Sequence, residues 1–236
     1  MRGIFFCLWL LFPAAVLAYH YGPGQERLAL DDAAGQLSAA RDHVNAEEWA
    51  DAVAQFDAAL AVLPEEEVDA VRRVRVERAK AQMNNGQLPA AYDDLTLLVE
   101  ELEADGQVAP DLERDARLAL GNAQYFMTWL MRLEGLPRSE WEPQIEAARQ
   151  NFRLLAEAAS KEADEAVAAA RQEDLESAVR LARMDLSDLQ ALPLPSQCKG
   201  CKSGQCKCKG KCKSKRTGEK DARGAGSGPP PDGRGS

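Results

Sequence analysis

The chain has 236 residues, 45% apolar and 28% charged, with a formal net charge of −9, so it can build a core in one or two domains. It has two histidines, His20 and His43, which excludes most histidine-based acid–base chemistry and His-rich metal sites. Charge is segregated: residues 19–195 carry a net −18 and residues 196–236 a net +8, which predicts an acidic folded body and a basic tail.

Residues 1–18 come first. Arg2 and the amino terminus give a short positive region, followed by an apolar run from Ile4 to Ala18 that ends in Val16-Leu17-Ala18. This reads as a secretory signal peptide. The run is shorter than the roughly 20 apolar residues of a spanning helix, and Pro13 interrupts it. The rival reading is an uncleaved N-terminal anchor with Tyr19 and Tyr21 at the membrane interface. Either places the body outside the cytoplasm: periplasmic, secreted, or anchored and facing outward.

Residues 19–32 are a linker and the start of the first helix; residues 33–192 are a helical domain. Ala, Leu, Glu, Arg and Gln dominate, and only seven glycines occur between Tyr19 and Pro195. Apolar residues recur three and four apart, as in Trp49, Val53, Phe56 and Leu60, or Leu175, Val179, Ala182, Leu186 and Leu189. Helices are predicted near 26–45, 48–62, 66–84, 88–103, 110–133, 140–171 and 173–191, with a break in the sixth near Ser160. Pro89, Pro110 and Pro143 suit first-turn positions, and Ser139 with Glu142 suits a capping box. Short loops make neighbouring helices antiparallel.

Trp49, Ala52, Phe56, Ala59 and Pro64 give an aromatic, a small residue, an aromatic, a small residue and a closing proline. This spacing resembles the second half of a tetratricopeptide repeat. Ala lets two helices approach closely, and the aromatics fill the gaps between them. Ala79, Gly86, Leu88, Ala91 and Leu95 resemble a second unit, with Leu98 in place of the second small residue. Leu120-Gly121-Asn122-Ala123, followed late by Ala148 and Phe152, resembles a third. The resemblance covers residues 33–160 and implies an all-α fold: an antiparallel helix-pair solenoid of about three irregular repeats. Residues 161–192 would cap it.

The resemblance also implies a concave groove lined by the first helix of each pair. In that register Arg41, Asn45, Arg73, Lys80, Asn84, Asn122 and Tyr125 line it. The family clamps peptide carboxylates with such Asn, Lys and Arg side chains. The implied partner is a protein or peptide with an acidic segment or a C-terminal carboxylate.

Pro193-Leu194-Pro195 ends the helical region. Residues 193–236 read as a disordered basic tail, Cys/Lys-rich and then Gly/Pro-rich. Cys198, Cys201, Cys206, Cys208 and Cys212 follow a C-x2-C-x4-C-x-C-x3-C pattern. The Cys-Lys-Cys portion resembles metallothionein segments, which implies thiolate binding of zinc or copper. Disulfide chemistry is the rival reading, with one thiol left over, and oxidation without order is a third. Nucleic acid is not expected, since no aromatic residue interleaves the lysines.

No nucleophile–base pair and no Gly-rich phosphate loop stands out, so no enzymatic activity is expected. His43 falls where repeats pack an aromatic and reads as a core or boundary residue. The leading functional expectation is a non-catalytic exported scaffold that binds a protein through its groove. The alternative is a metal-binding or redox-responsive protein acting through the cysteine-rich tail.

Overall fold

The computed structural model describes residues 9, 11–13, 23–162, 164–201 and 203, with only the backbone of residues 23–26. The expected signal peptide or anchor over residues 1–18 falls almost wholly outside the described residues. So do Cys206, Cys208 and Cys212 and the rest of the tail beyond residue 203.

Every regular element among the described residues is helical. In chain order these are α1 (Pro23–Asn45), α2 (Trp49–Val62), α3 (Val68–Asn84), α4 (Leu88–Asp105), α5 (Pro110–Leu133), α6 (Arg138–Ala159), α7 (Glu165–Arg183) and α8 (Leu186–Ala191). A 3-10 turn over Ser196–Cys198 follows. No described helix is long and apolar enough to cross a membrane.

The expected sixth helix is divided. It ends at Ala159, and α7 begins at Glu165 behind the N-cap Asp164, whose side chain accepts hydrogen bonds from the N–H groups of Ala166 and Val167. The capping box at Ser139 does not form. Helix α6 starts earlier, at Arg138, which places Ser139 inside it and pairs Glu142 with Arg138. Pro143 therefore lies within α6 rather than in its first turn, whereas Pro89 and Pro110 do open α4 and α5.

The chain forms two compact units, residues 1–74 and 75–236, with the division inside α3. In the first, α1 and α2 form a helical hairpin. Its turn is closed by Ala46 N–H to Asp42 O (3.0 Å) and Glu48 N–H to His43 O (2.9 Å). Ala33 and Ala40 make the buried face of α1; Ala52, Val53, Phe56 and Ala59 make that of α2. The small residues of the repeat-like pattern thus lie on the buried stripe.

In the second unit α4 buries Leu88, Ala91, Leu95, Leu98, Val99 and Leu102, and α6 buries Ile145, Ala148, Phe152, Leu155 and Ala159. Both sets recur at three and four, which leaves the opposite faces to solvent. Helix α5 differs: every residue from Ala119 to Arg132 is buried. A helix buried on all sides is a central one. It packs against α4, α6, α8 and the 3-10 turn. Each Leu or Phe fully buried here contributes roughly 1.5–3 kcal/mol.

The approach of α5 to α6 depends on Gly121. A Cβ there would lie 2.7 Å from the ring of Phe152, which is wholly buried. Three polar side chains of α5, Gln124, Thr128 and Arg132, find partners inside the unit. Thr128 Oγ1 donates to Gln124 O (2.8 Å), and Asn151 Nδ2 donates to Gln124 Oε1 (3.0 Å). Arg132 donates to the carbonyls of Leu181 and Met184 at the end of α7. Its guanidinium stands 4.8 Å over the Trp141 ring. Burial lowers the Arg132 pKa, and Asp185 acts in the opposite sense.

Candidate functional site

The segment expected to begin the unstructured tail is packed where it is described. Pro195, Gln197 and Cys198 are buried, and Ser203 is 3% exposed. We call the described residues 193–201 and 203 the strap. It lies within the second unit, against the C-terminal end of α3, the start of α4 and the far half of α5.

Three sets of contacts seat it. Gln197 Nε2 donates to Asn84 Oδ1 at 2.9 Å, and Asn84 Nδ2 donates to Lys80 O at 3.0 Å, so the Asn84 amide is held from both sides. The Cys198 thiol, 1% exposed, donates to Phe126 O at 3.7 Å. At the far end Glu134 Oε1 accepts from Ser203 N–H at 2.9 Å, and Glu134 Oε2 accepts from the Ser203 hydroxyl.

Between these anchors the chain turns back. Cys201 N–H donates to Cys198 O at 3.3 Å, Lys199 has φ −66° and ψ 122°, and Gly200 has φ 78°. These are the features of a type II turn, whose third residue needs positive φ and so favours glycine. Lys199 O lies 3.3 Å from the position a Cβ on Gly86 would take, so the strap sits directly on the α3–α4 connection.

The electrostatics follow burial. Burial pushes the Cys198 thiol pKa up, and neighbouring Cys201 pushes it further. Partial burial raises that of Cys201, against the pull of a hydrogen bond from Leu88 N–H. Burial also raises the Tyr125 phenol; Cys198 adds to the rise and Arg180 offsets part of it. Cys198 is therefore a neutral packed thiol in this seat.

The expected groove residues divide between the units. Arg41, Asn45 and Arg73 are exposed in the first. In the second, burial removes Asn122 (0% exposed) and Tyr125 (2%) from any open surface, because α5 is enclosed. Lys80 is bound by Asp115 Oδ1 at 2.8 Å and Glu77 Oε1 at 3.0 Å. Burial lowers its pKa, but the two carboxylates outweigh that and hold it above the usual range. Its charge is matched inside the unit, and Asn84 is taken up by the strap. The structure thus brings Asn84 into a peptide seat but not Lys80, Asn122 or Tyr125 into a carboxylate clamp.

Of the expected thiolate ligands, Cys198 and Cys201 are described, both as free thiols. Among the described residues one trio has ligand atoms within 4.8 Å of one another: His43, Glu48 and Asp51, at the α1–α2 turn. His43 Nδ1 is 2.7 Å from Glu48 Oε2. His43 is thus a partly exposed residue in the last turn of α1, a boundary position rather than a core one. Sequence reasoning missed Gln197, Ser203 and Glu134. The one local signal was Glu134 itself: a carboxylate at a helix C-terminus opposes the helix dipole and invites another explanation.

Comparison of the chain with protein-family models, with curated proteins and with solved structures returns no match. The features in hand define an all-helical protein whose second unit holds a short polypeptide segment of its own.

Proposed function

We propose that this chain is a non-catalytic, exported protein-binding scaffold of tetratricopeptide-like helix pairs, whose second unit recognises a short polypeptide segment. The single observation that supports this is the seated strap. Beyond its opening Pro193-Leu194-Pro195, this stretch has no large apolar side chain and is held by a side-chain amide pair, a buried small side chain and a carboxylate grip. A segment from another protein would use the same three features, by displacing the strap. Recognition is by shape, an amide–amide hydrogen bond and hydrogen bonds to the Glu134 carboxylate, since the Lys80 charge is already matched. Export is read from residues 1–18, and the pairing of helices from the Trp49 to Pro64 pattern. The partner is thus a protein with a flexible Gln- and Ser-bearing segment.

A tethered segment enjoys an effective concentration in the millimolar range, so a partner must compete against it. The test is fluorescence anisotropy of a labelled peptide spanning residues 194–203, under reducing conditions. Full-length protein carrying Gln197→Ala and Ser203→Ala should bind the peptide about tenfold more tightly than the unmodified chain. Equal or undetectable binding to both would defeat the reading.

A further inference from the structure

The two described cysteines of the strap are set apart by access and brought together by the chain. Cys198 is 1% exposed, at the start of the turn. Cys201 is only partly buried, at its end, and its sulfur lies beside the N–H of Leu88 at the start of α4. The hydrogen bond from Cys201 N–H to Cys198 O closes the turn. The first and last residues of a β-turn have Cα atoms under about 7 Å apart. A disulfide requires about 4.4–6.8 Å. The turn thus brings the two Cα atoms to about the separation a disulfide needs, and a bond requires the two sulfurs to turn from Phe126 O and Leu88 N–H toward each other.

We propose that Cys198 and Cys201 form a redox-active dithiol site, in which Cys201 takes the oxidising equivalent and Cys198 resolves it. The oxidant is a small-molecule disulfide. The Cys201 sulfur attacks it, forming a mixed disulfide and releasing one thiol. The Cys198 sulfur then attacks the Cys201 sulfur, forming the Cys198–Cys201 bond and releasing the second thiol. Each cysteine loses one proton, and the two electrons end on the two released thiols. The order follows from access: an external molecule reaches Cys201, whereas Cys198 is covered by α5. The product closes a four-residue loop in the turn conformation that the seat requires. It limits the freedom of the displaced strap and so holds the strap down. This inference does not rest on capture of a partner.

The test uses the full chain with Cys7, Cys206, Cys208 and Cys212 changed to Ser, incubated with oxidised glutathione and read by intact mass and peptide mapping. The expected product loses two hydrogens and carries one intramolecular Cys198–Cys201 bond. Cys198→Ala should instead accumulate one glutathionyl group on Cys201. Cys201→Ser should leave Cys198 unmodified while the chain is folded, as judged by helical circular dichroism. Trypsin cleavage after Lys199 should be about tenfold slower in the oxidised form, the scale expected for closing so short a loop. A stable mixed disulfide in the two-cysteine chain would overturn the proposal. So would a bond between two chains, no reaction, or glutathionylation of Cys198 in the Cys201→Ser variant. Unchanged or faster cleavage after Lys199 would overturn the holding role.

Discussion

The amide of Gln197 donates to Asn84 Oδ1 at 2.9 Å, across 113 residues of sequence. Gln197 is 4% exposed, so removing its partner leaves a buried donor without an acceptor. Asn84→Ala should therefore destabilise strap docking by about 1 kcal/mol. Amide exchange over residues 196–201 should rise about fivefold, with little change in α4 and α6. Hydrogen exchange read by mass spectrometry checks this. In the double variant with Gln197→Ala the second substitution should add little, as for a coupled pair.

Glu134 gives a test in which two explanations differ in what they predict for the strap. At the end of α5 its charge opposes the helix dipole by about 0.3–1 kcal/mol. If that were its whole role, Glu134→Ala would stabilise the protein and leave the strap alone. Because it accepts two hydrogen bonds from Ser203, the expected result is a steady or slightly raised Tm together with faster trypsin cleavage after Lys199.

Gly121→Ala adds one methyl group against the Phe152 ring, where 2.7 Å leaves no room. Better helix propensity favours the change by about 1 kcal/mol, and overpacking a filled core opposes it by about 1–3 kcal/mol. Since Phe152 is 0% exposed and cannot swing outward, overpacking should win and lower the urea midpoint. Pairing it with Phe152→Leu should destabilise less than the sum of the two single changes, which equilibrium unfolding would reveal.

The helices were legible because their signals are local: Ala-rich stripes at three and four, and prolines at Pro89 and Pro110 that open α4 and α5. Gly121, Ala148 and Phe152 were legible as contact positions for the same reason. What spacing along one helix does not carry is which face remains open. Asn122 and Tyr125 lie on α5, and only the third dimension encloses α5 with α8 and the strap. The strap itself was hidden for a different reason. Its anchors are Gln197, Cys198 and Ser203, whose partners lie 113, 72 and 69 residues away. None of them is a large apolar residue, so a rule that equates order with apolar content passes over them. Cys198 read as a ligand because of its neighbours in sequence; its neighbours in space are the Phe126 carbonyl of α5 and, across the turn, Cys201.

Asp174 gives the pH dependence. It is 2% exposed and paired with Arg171 at 2.8 Å on α7. Burial pushes its carboxyl up to about 6; Arg171 pulls it down and Glu173 pushes it up. The folded pKa thus exceeds the unfolded value of 3.8, so the folded state holds the proton more tightly. The associated stability is fully present below pH 3.8 and is lost as the pH rises through about 6. At about 1.4 kcal/mol per unit, the loss is of order 2–3 kcal/mol. The carboxyl carbon of Asp174 should titrate near pH 6 by NMR. Its part of the stability–pH slope should vanish in Asp174→Asn.

Arg132 ties the centre of the second unit to the end of α7. Its guanidinium donates to the carbonyls of Leu181 and Met184, which lie in the last turn of α7 and just beyond it. The same group covers the Trp141 ring at 4.8 Å, so its stem and plane pack as well as bond. Arg132→Met keeps much of the volume but leaves both carbonyls without the donor, at about 1–3 kcal/mol for the buried Leu181 carbonyl and less for the part-buried one of Met184. Arg132→Lys keeps the charge but loses the planar fork that spans both carbonyls, so it should recover only part of the loss. The expected order of urea midpoints is Arg, then Lys, then Met. Faster amide exchange should be confined to residues 181–192 in the Lys variant. Equal midpoints for Lys and Arg would show that charge alone, rather than the fork, holds the end of α7.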